Sequence, residues 1–257
     1  MIIDADCHLS SYKSDPLAIT APELIDQMDR CGVERALVWL KPPYNKDIDP
    51  ENWAVYQAVG DFPNRLLGFG WVNPRLGAEH ARDTIRRCFE EYGFYGIKFN
   101  GAQDYYVIDD AAILPLIEAA AAYGKPIAFH IGADFYENTH PYRLGSIAGR
   151  FPETQFIMVH MGGAGIPTLD RSAVETAEQH PNITLIGSSI NEMAILNAIR
   201  KLGAQRICFG SDTPFRLMHV QLAMYQALLR DCSEKDRDLI LGGNLARLLK
   251  LDAATEG

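Results

Sequence analysis

Short apolar runs rich in β-branched and aromatic residues alternate with stretches of helical character along almost the whole chain. The runs fall at 1–8, 35–40, 66–72, 96–100, 126–132, 155–161, 183–188 and 207–211, and each predicts a β-strand. Most are apolar throughout rather than alternating, the pattern of parallel strands covered on the outside by helices. The segments between them carry helix punctuation. Thr20-Ala-Pro-Glu23 makes a capping box, with Gly32 behind the helix it opens. The stretch 78–92 is charged on one face and sets Ile85, Cys88 and Phe89 on the other. An alanine-rich segment, 111–123, closes at Gly124, and 191–202 closes at Gly203 in the same way. A helix at 218–229 follows the eighth run, and 234–249 is a last helical stretch interrupted by Gly242-Gly243.

Strict strand–helix alternation leaves two architectures, a closed barrel and an open doubly wound sheet. An open sheet would call for a glycine-rich phosphate loop after its first strand, whereas here that strand runs into Asp6-Cys7-His8-Leu9-Ser10. Eight units in 257 residues match a (β/α)8 TIM barrel. Length alone would also permit two small domains. No linker, charge run or composition break divides the chain, so a single domain over 1–257 is expected.

With 47% hydrophobic residues, a core large enough for a closed sheet is available. The net charge of −9 repels phosphate backbones and anionic lipid, which argues against nucleic acid and membrane surfaces as partners. A small anionic substrate remains open, because a local cationic pocket can outweigh the global field. The five cysteines, Cys7, Cys31, Cys88, Cys208 and Cys232, are scattered without a CxxC pair, which suggests reduced thiols. The first residues show neither a basic nor a long apolar leader, and no run is long enough to span a bilayer. A soluble cytoplasmic protein is the expectation.

A barrel keeps its chemistry at the C-terminal ends of its strands. The ionisable residues there are Asp6 and His8 on the first strand, Lys98 on the fourth, His130 on the fifth, His160 on the sixth, and Asp212 after the eighth. Asp6 and His8 are two apart and share a strand face, while Cys7 points away. Together with His130 and Asp212 they form a set of two imidazoles and two carboxylates, suited to zinc or to a harder ion such as manganese. Any one of them alone reads more simply as a cap or an edge residue; the joint pattern is what points to a metal. His160 is read as an acid/base or carbonyl-polarising group, with a second metal or a structural role as alternatives. Gly162 and Gly163 beside it would allow close backbone approach. Lys98 lies in an apolar strand, where a buried ammonium needs a purpose. Binding a substrate carboxylate ranks first, ahead of a carbamylated metal bridge or a pair with a neighbouring acid. Arg216 is a second anion-binding candidate, set against a solvated loop arginine. His80, His140, His180 and His219 are read as structural or solvated, and Trp39, Trp71, Phe99, Tyr142 and Phe215 as possible aromatic lining.

The segments Ile3-Asp4-Ala5-Asp6-Cys7-His8, His160-Met-Gly-Gly163, Phe209-Gly-Ser-Asp212-Thr-Pro-Phe215 and Gly242-Gly-Asn-Leu-Ala-Arg-Leu-Leu249, with the His130 strand between, resemble the amidohydrolase superfamily. The similarity is to its amidohydrolase-related branch of metal-dependent hydrolases and decarboxylases, and covers nearly the whole chain. It implies a distorted (β/α)8 barrel with one catalytic divalent metal on Asp6, His8, His130 and Asp212, a catalytic His160, and often a homodimer. The family's first-strand motif is commonly His-x-His, so Asp6 is a departure. Some decarboxylases of the branch carry Glu there, which leans the metal toward manganese or a weaker zinc site. Two reactions use the same residues. In hydrolysis, Asp212 takes a proton from metal-activated water and His160 polarises a lactone, ester or amide carbonyl. In non-oxidative decarboxylation, Asp212 or His160 protonates the carbon that loses carbon dioxide. Hydrolysis is the expectation, because the chain is shorter than expected of the decarboxylases; decarboxylation is the alternative, and a non-catalytic binding barrel a third.

Overall fold

The computed structural model describes residues 1–10, 17–42, 48–132, 134–163 and 166–251. Eight strands pair side by side in chain order: β1 (Ile3–Leu9), β2 (Arg35–Leu40), β3 (Leu66–Val72), β4 (Gly96–Phe99), β5 (Ile127–Gly132), β6 (Phe156–Gly162), β7 (Ile183–Ile186) and β8 (Ile207–Cys208). Every pairing is parallel. The backbone after β8 returns to β1: Ala5 N donates to Phe209 O at 2.9 Å, Asp212 N to Asp6 O at 2.8 Å, and His8 N to Thr213 O at 2.7 Å. These bonds close the barrel. The predicted eighth strand ran to Ser211, but β8 is shorter. Phe209 N turns to Ile240 O, and Ser211 N is taken at 2.8 Å by the buried carboxylate of Asp4.

The helices α1 (Ala21–Cys31), α2 (Asp49–Asp61), α3 (Ala78–Arg86), α4 (Leu114–Ala121), α5 (Pro141–Arg150), α6 (Leu169–Gln179), α7 (Glu192–Leu202) and α8 (Met218–Leu228) alternate with the strands. Two short helices follow, α9 (Glu234–Asp238) and α10 (Asn244–Leu248). The Thr20–Glu23 capping box forms, and Gly32 ends α1 at φ 71°. The predicted helix 78–92 is α3 followed by a π-helical turn, Arg87–Glu91. Another π-helical turn, Leu239–Gly243, lies at the predicted glycine break.

Apolar side chains form two layers. One fills the barrel, with Ile3, Ala5, Trp39, Phe69 and Ile157, and α10 adds Leu245 to it. The other lies between strands and helices and includes Cys7, Leu9, Leu24, Val38 and Leu144. Each fully buried Val, Leu, Ile or Phe of this kind contributes roughly 1.5–3 kcal/mol.

One irregularity positions the site. Asp4 pairs with Ala36 and Cys7 with Val38, so β1 carries one residue more than β2 over that interval. Strict alternation from Ile3 and Ala5 would put Cys7 and Leu9 inside the barrel. The bulge inverts the phase, so Cys7 and Leu9 face the helices while Asp6 and His8 face the lumen.

Candidate active site

A cavity of about 400 Å³ opens at the C-terminal end of the barrel, lined by His8, Pro42, Asn100, Gln103, His130, Asp134, His160, Gly163, Ser189, Asp212, Phe215 and Arg216. Asp6 is fully buried next to His8: its Oδ1 lies 3.4 Å from His8 Nε2 and has no hydrogen-bond partner among the described residues. His8 Nε2 is also 3.4 Å from Asp212 Oδ1. On the other side of the ring, His8 Nδ1 meets the Leu40 carbonyl at 3.0 Å. A carbonyl only accepts, so Nδ1 carries a proton and Nε2 is aimed at the two carboxylates. Trp39 Nε1 donates to the same Nε2 at 3.1 Å.

His130 Nε2 is the second buried atom of the group with no hydrogen-bond partner among the described residues. Its ring stands edge-on to that of His160, with centroids 4.7 Å apart. Asp6, His160 and Asp212 each offer a donor atom, and the three atoms lie within 4.8 Å of one another. Two serines at the end of β7 hold the carboxylates. Ser188 Oγ donates to Asp6 Oδ2 at 2.5 Å, and Ser189 Oγ donates to Asp212 Oδ2.

The backbone here is unusual for residues with side chains. His160, Met161, Ser189 and Asp212 have φ of 71°, 49°, 49° and 61°, in the left-handed region. Such conformations persist only where the surroundings over-determine them, and here they turn strand ends toward one point. The close approach of β5 and β6 requires glycine: a Cβ on Gly132, itself at φ 72°, would fall 2.0 Å from Gly162 O.

Burial alone would raise the Asp6 carboxyl, but Lys98, His8 and His160 outweigh it and hold Asp6 well below the usual carboxylate range. Burial likewise disfavours a charged His8, yet Asp212 and Asp6 lift its pKa above the ordinary imidazole value. In the absence of another cation, those carboxylates favour a proton where a metal would compete for it. His130 is driven well below the imidazole range by burial, with His160 and Lys98 adding to the effect, and is neutral. Two neutral or neutralisable imidazoles, two carboxylates and two orphaned buried atoms fit a divalent ion, zinc or manganese.

Asp6, His8, His130, His160 and Asp212 therefore come together. Arg216 stands exposed at the cavity rim, with its Nε 3.4 Å from Ser189 Oγ. Lys98 lies deeper and does not line the cavity; its Nζ sits 3.6 Å above the Trp39 ring and 5.4 Å from that of Trp71. Burial lowers its pKa to about 8, against the pull of Asp6 and Asp212. Phe215 packs edge-on to His8 at 5.2 Å, whereas Tyr142 is away from the cavity and bonds Glu175. Sequence reasoning missed Ser188, Ser189, Asn100, Gln103 and Asp134. Their one signal was being polar at or just after a predicted strand end.

The chain matches the model of the amidohydrolase family over residues 3–251. It is 23% identical to a 2-amino-3-carboxymuconate-6-semialdehyde decarboxylase of Dictyostelium discoideum, over 83% of this chain and 69% of that one. It is 26% identical to a γ-resorcylate decarboxylase of a Polaromonas species, over 88% of this chain and 86% of the other. Among solved structures, 2,6-dihydroxybenzoate decarboxylase from Rhizobium superposes with a TM-score of 0.80 at 21% identity, covering 98% of this chain and 99% of the other. A 5-carboxyvanillate decarboxylase of Novosphingobium aromaticivorans, complexed with manganese and a nitrobenzoic acid, gives 0.79 at 17% identity, over 98% and 96%. These relatives overturn the expectation of hydrolysis. Its basis was chain length, yet the chain spans 86% of the resorcylate enzyme, so shortness does not set it apart from decarboxylases. Among the described residues no helix is long and apolar enough to cross a membrane. With its barrel, its strand-end residues and a match over almost its full length, the chain belongs to the amidohydrolase family.

Proposed function

We propose that the protein is a metal-dependent, non-oxidative decarboxylase of a small aromatic or unsaturated acid. The observation that carries this is the pair of orphaned buried atoms, Asp6 Oδ1 and His130 Nε2, in a site shared with His160, Asp212 and Arg216, in a chain whose relatives are named decarboxylases. Asp6, His8, His130 and Asp212 would hold one divalent ion. Bound there, the ion supplies Lewis-acid anchorage for oxygens of an acidic substrate.

The remaining work belongs to the chain's own groups. Arg216 at the rim offers a planar fork to an anionic group of the substrate. Phe215, packed against His8, presents an apolar wall to a ring or double bond. Lys98 acts through its charge rather than by touching substrate, helping to keep Asp6 ionised from beneath. In the reaction the carbon–carboxylate bond breaks, carbon dioxide leaves, and the electron pair of that bond, left on the substrate carbon, takes a proton. His160 and Asp212 line the cavity and handle that proton.

The test is carbon dioxide release from hydroxylated benzoates and unsaturated amino acids with manganese or zinc supplied. Asp212→Asn should retain the fold by circular dichroism and lose turnover by at least about a hundredfold. Undiminished release in that variant would refute the assignment. Arg216→Ala should raise KM for the acid roughly ten- to a hundredfold, with kcat changed far less, as expected when a charged hydrogen bond is lost. A kcat effect without a KM effect would remove Arg216 from substrate binding.

A further inference from the structure

His160 Nδ1 lies 2.9 Å from the hydroxyl oxygen of Ser188 and 3.3 Å from that residue's carbonyl oxygen. The same hydroxyl lies 2.5 Å from Asp6 Oδ2. Ser188 is fully buried and His160 is 5% exposed, so these contacts face little competition from water. The character of the partners fixes where the protons are. A backbone carbonyl and a carboxylate can only accept. Ser188 has one hydroxyl proton, and the carboxylate is the stronger acceptor for it. His160 Nδ1 then faces two oxygens that have no proton to give, and it must be the donor.

We propose that Ser188 is a positioning residue: its hydroxyl accepts a hydrogen bond from the Nδ1–H of His160, donates its own to Asp6, and so leaves Nε2 as the nitrogen of His160 that meets the cavity. The directed chain runs from His160 Nδ1–H through Ser188 Oγ–H to Asp6 Oδ2. It couples a carboxylate of the metal site to the proton-handling imidazole without a direct hydrogen bond between them, since Nδ1 and Asp6 Oδ2 are 3.6 Å apart. His160 itself sits at φ 71°, in the left-handed region. Of the two ring nitrogens of His160, Nδ1 is engaged in this chain of hydrogen bonds, and only Nε2 is left for substrate or metal. The functional weight of the arrangement rests on His160 handling a proton in the proposed reaction; the tautomer does not.

Long-range proton–nitrogen NMR on metal-free, ¹⁵N-histidine-labelled protein reads the tautomer at mildly alkaline pH, with His160→Gln used to assign the signal. Wild type should show protonated Nδ1 and bare Nε2. Ser188→Ala should shift His160 toward the Nε2–H form, because only the longer carbonyl contact remains. Ser188→Thr, which keeps the hydroxyl, should restore the wild-type pattern. An Nε2–H tautomer in wild type, or a Ser188→Ala spectrum matching wild type, would overturn the proposal. The wild-type spectrum needs no variant to fold. Because it is recorded without metal or substrate, it stands even if Asp212→Asn shows the decarboxylase assignment to be wrong.

Discussion

Lys98 carries its charge between two indole rings, and each indole hands on a hydrogen bond: Trp39 to His8 and Trp71 to Asp104. A cation over an aromatic face is worth roughly 0.5–2 kcal/mol, which offsets only part of the cost of burying an ammonium. Asp6 and Asp212 offset more of it, although burial still prevails, so removing Asp6 also weakens the hold on this buried charge. Asp104 is a separate liability. Burial raises its carboxyl to about 7, with the Trp71 indole pulling the other way. The folded state therefore favours the neutral acid. That contribution is complete below the ordinary carboxylate pKa and is lost as pH rises through about 7. Asp104→Asn should stabilise the protein by roughly 2–4 kcal/mol near pH 8 and have little effect near pH 4, measured by urea midpoints. A variant less stable than wild type at both pH values would contradict this. Ser188 and Ser189 show why single residues of the site escaped the sequence. Their contribution is a directed hydroxyl proton, and an uncharged serine at a strand end looks the same whether or not it has one to direct.

Among the elements, strands were the most legible, because parallel strands buried on both faces are apolar throughout and have few alternative readings. Helices α2, α5 and α6 were not read. In α2 the apolar stripe is broken by buried Glu51 and Asn52, and Asn52 is spent bonding the Trp71 backbone. Helix α5 is capped by His140, an uncommon capping residue, and α6 has no side-chain cap. The bulge in β1 was also invisible, although the inference that Asp6 and His8 share a face held. The pairing of β5 with β6 carries its own prediction. Gly132→Ala would need a left-handed backbone and a Cβ far inside van der Waals contact distance of Gly162 O. It should destabilise the fold by more than about 3 kcal/mol, seen as a drop in Tm. A Tm within a degree or two of wild type would show that the strand ends can part.

At the scale of the whole molecule, the barrel explains why residues as far apart in sequence as Asp6 and Asp212 meet: the chain's last strand closes on its first. The fold and the metal-like constellation were readable because strand order places every strand end at one mouth. The reaction was not, because hydrolysis and decarboxylation call on the same histidine and the same aspartate; the names of the relatives are what favour decarboxylation. Everything proposed for the reaction depends on these side chains holding a divalent ion. Plasma-emission analysis of protein purified without chelator and reconstituted with manganese or zinc, for wild type and Asp6→Ala, reads this out. About one equivalent per chain in wild type, lost in the variant, is the predicted result. Wild-type protein that takes up no metal, or an Asp6→Ala variant that keeps a full equivalent, would contradict it.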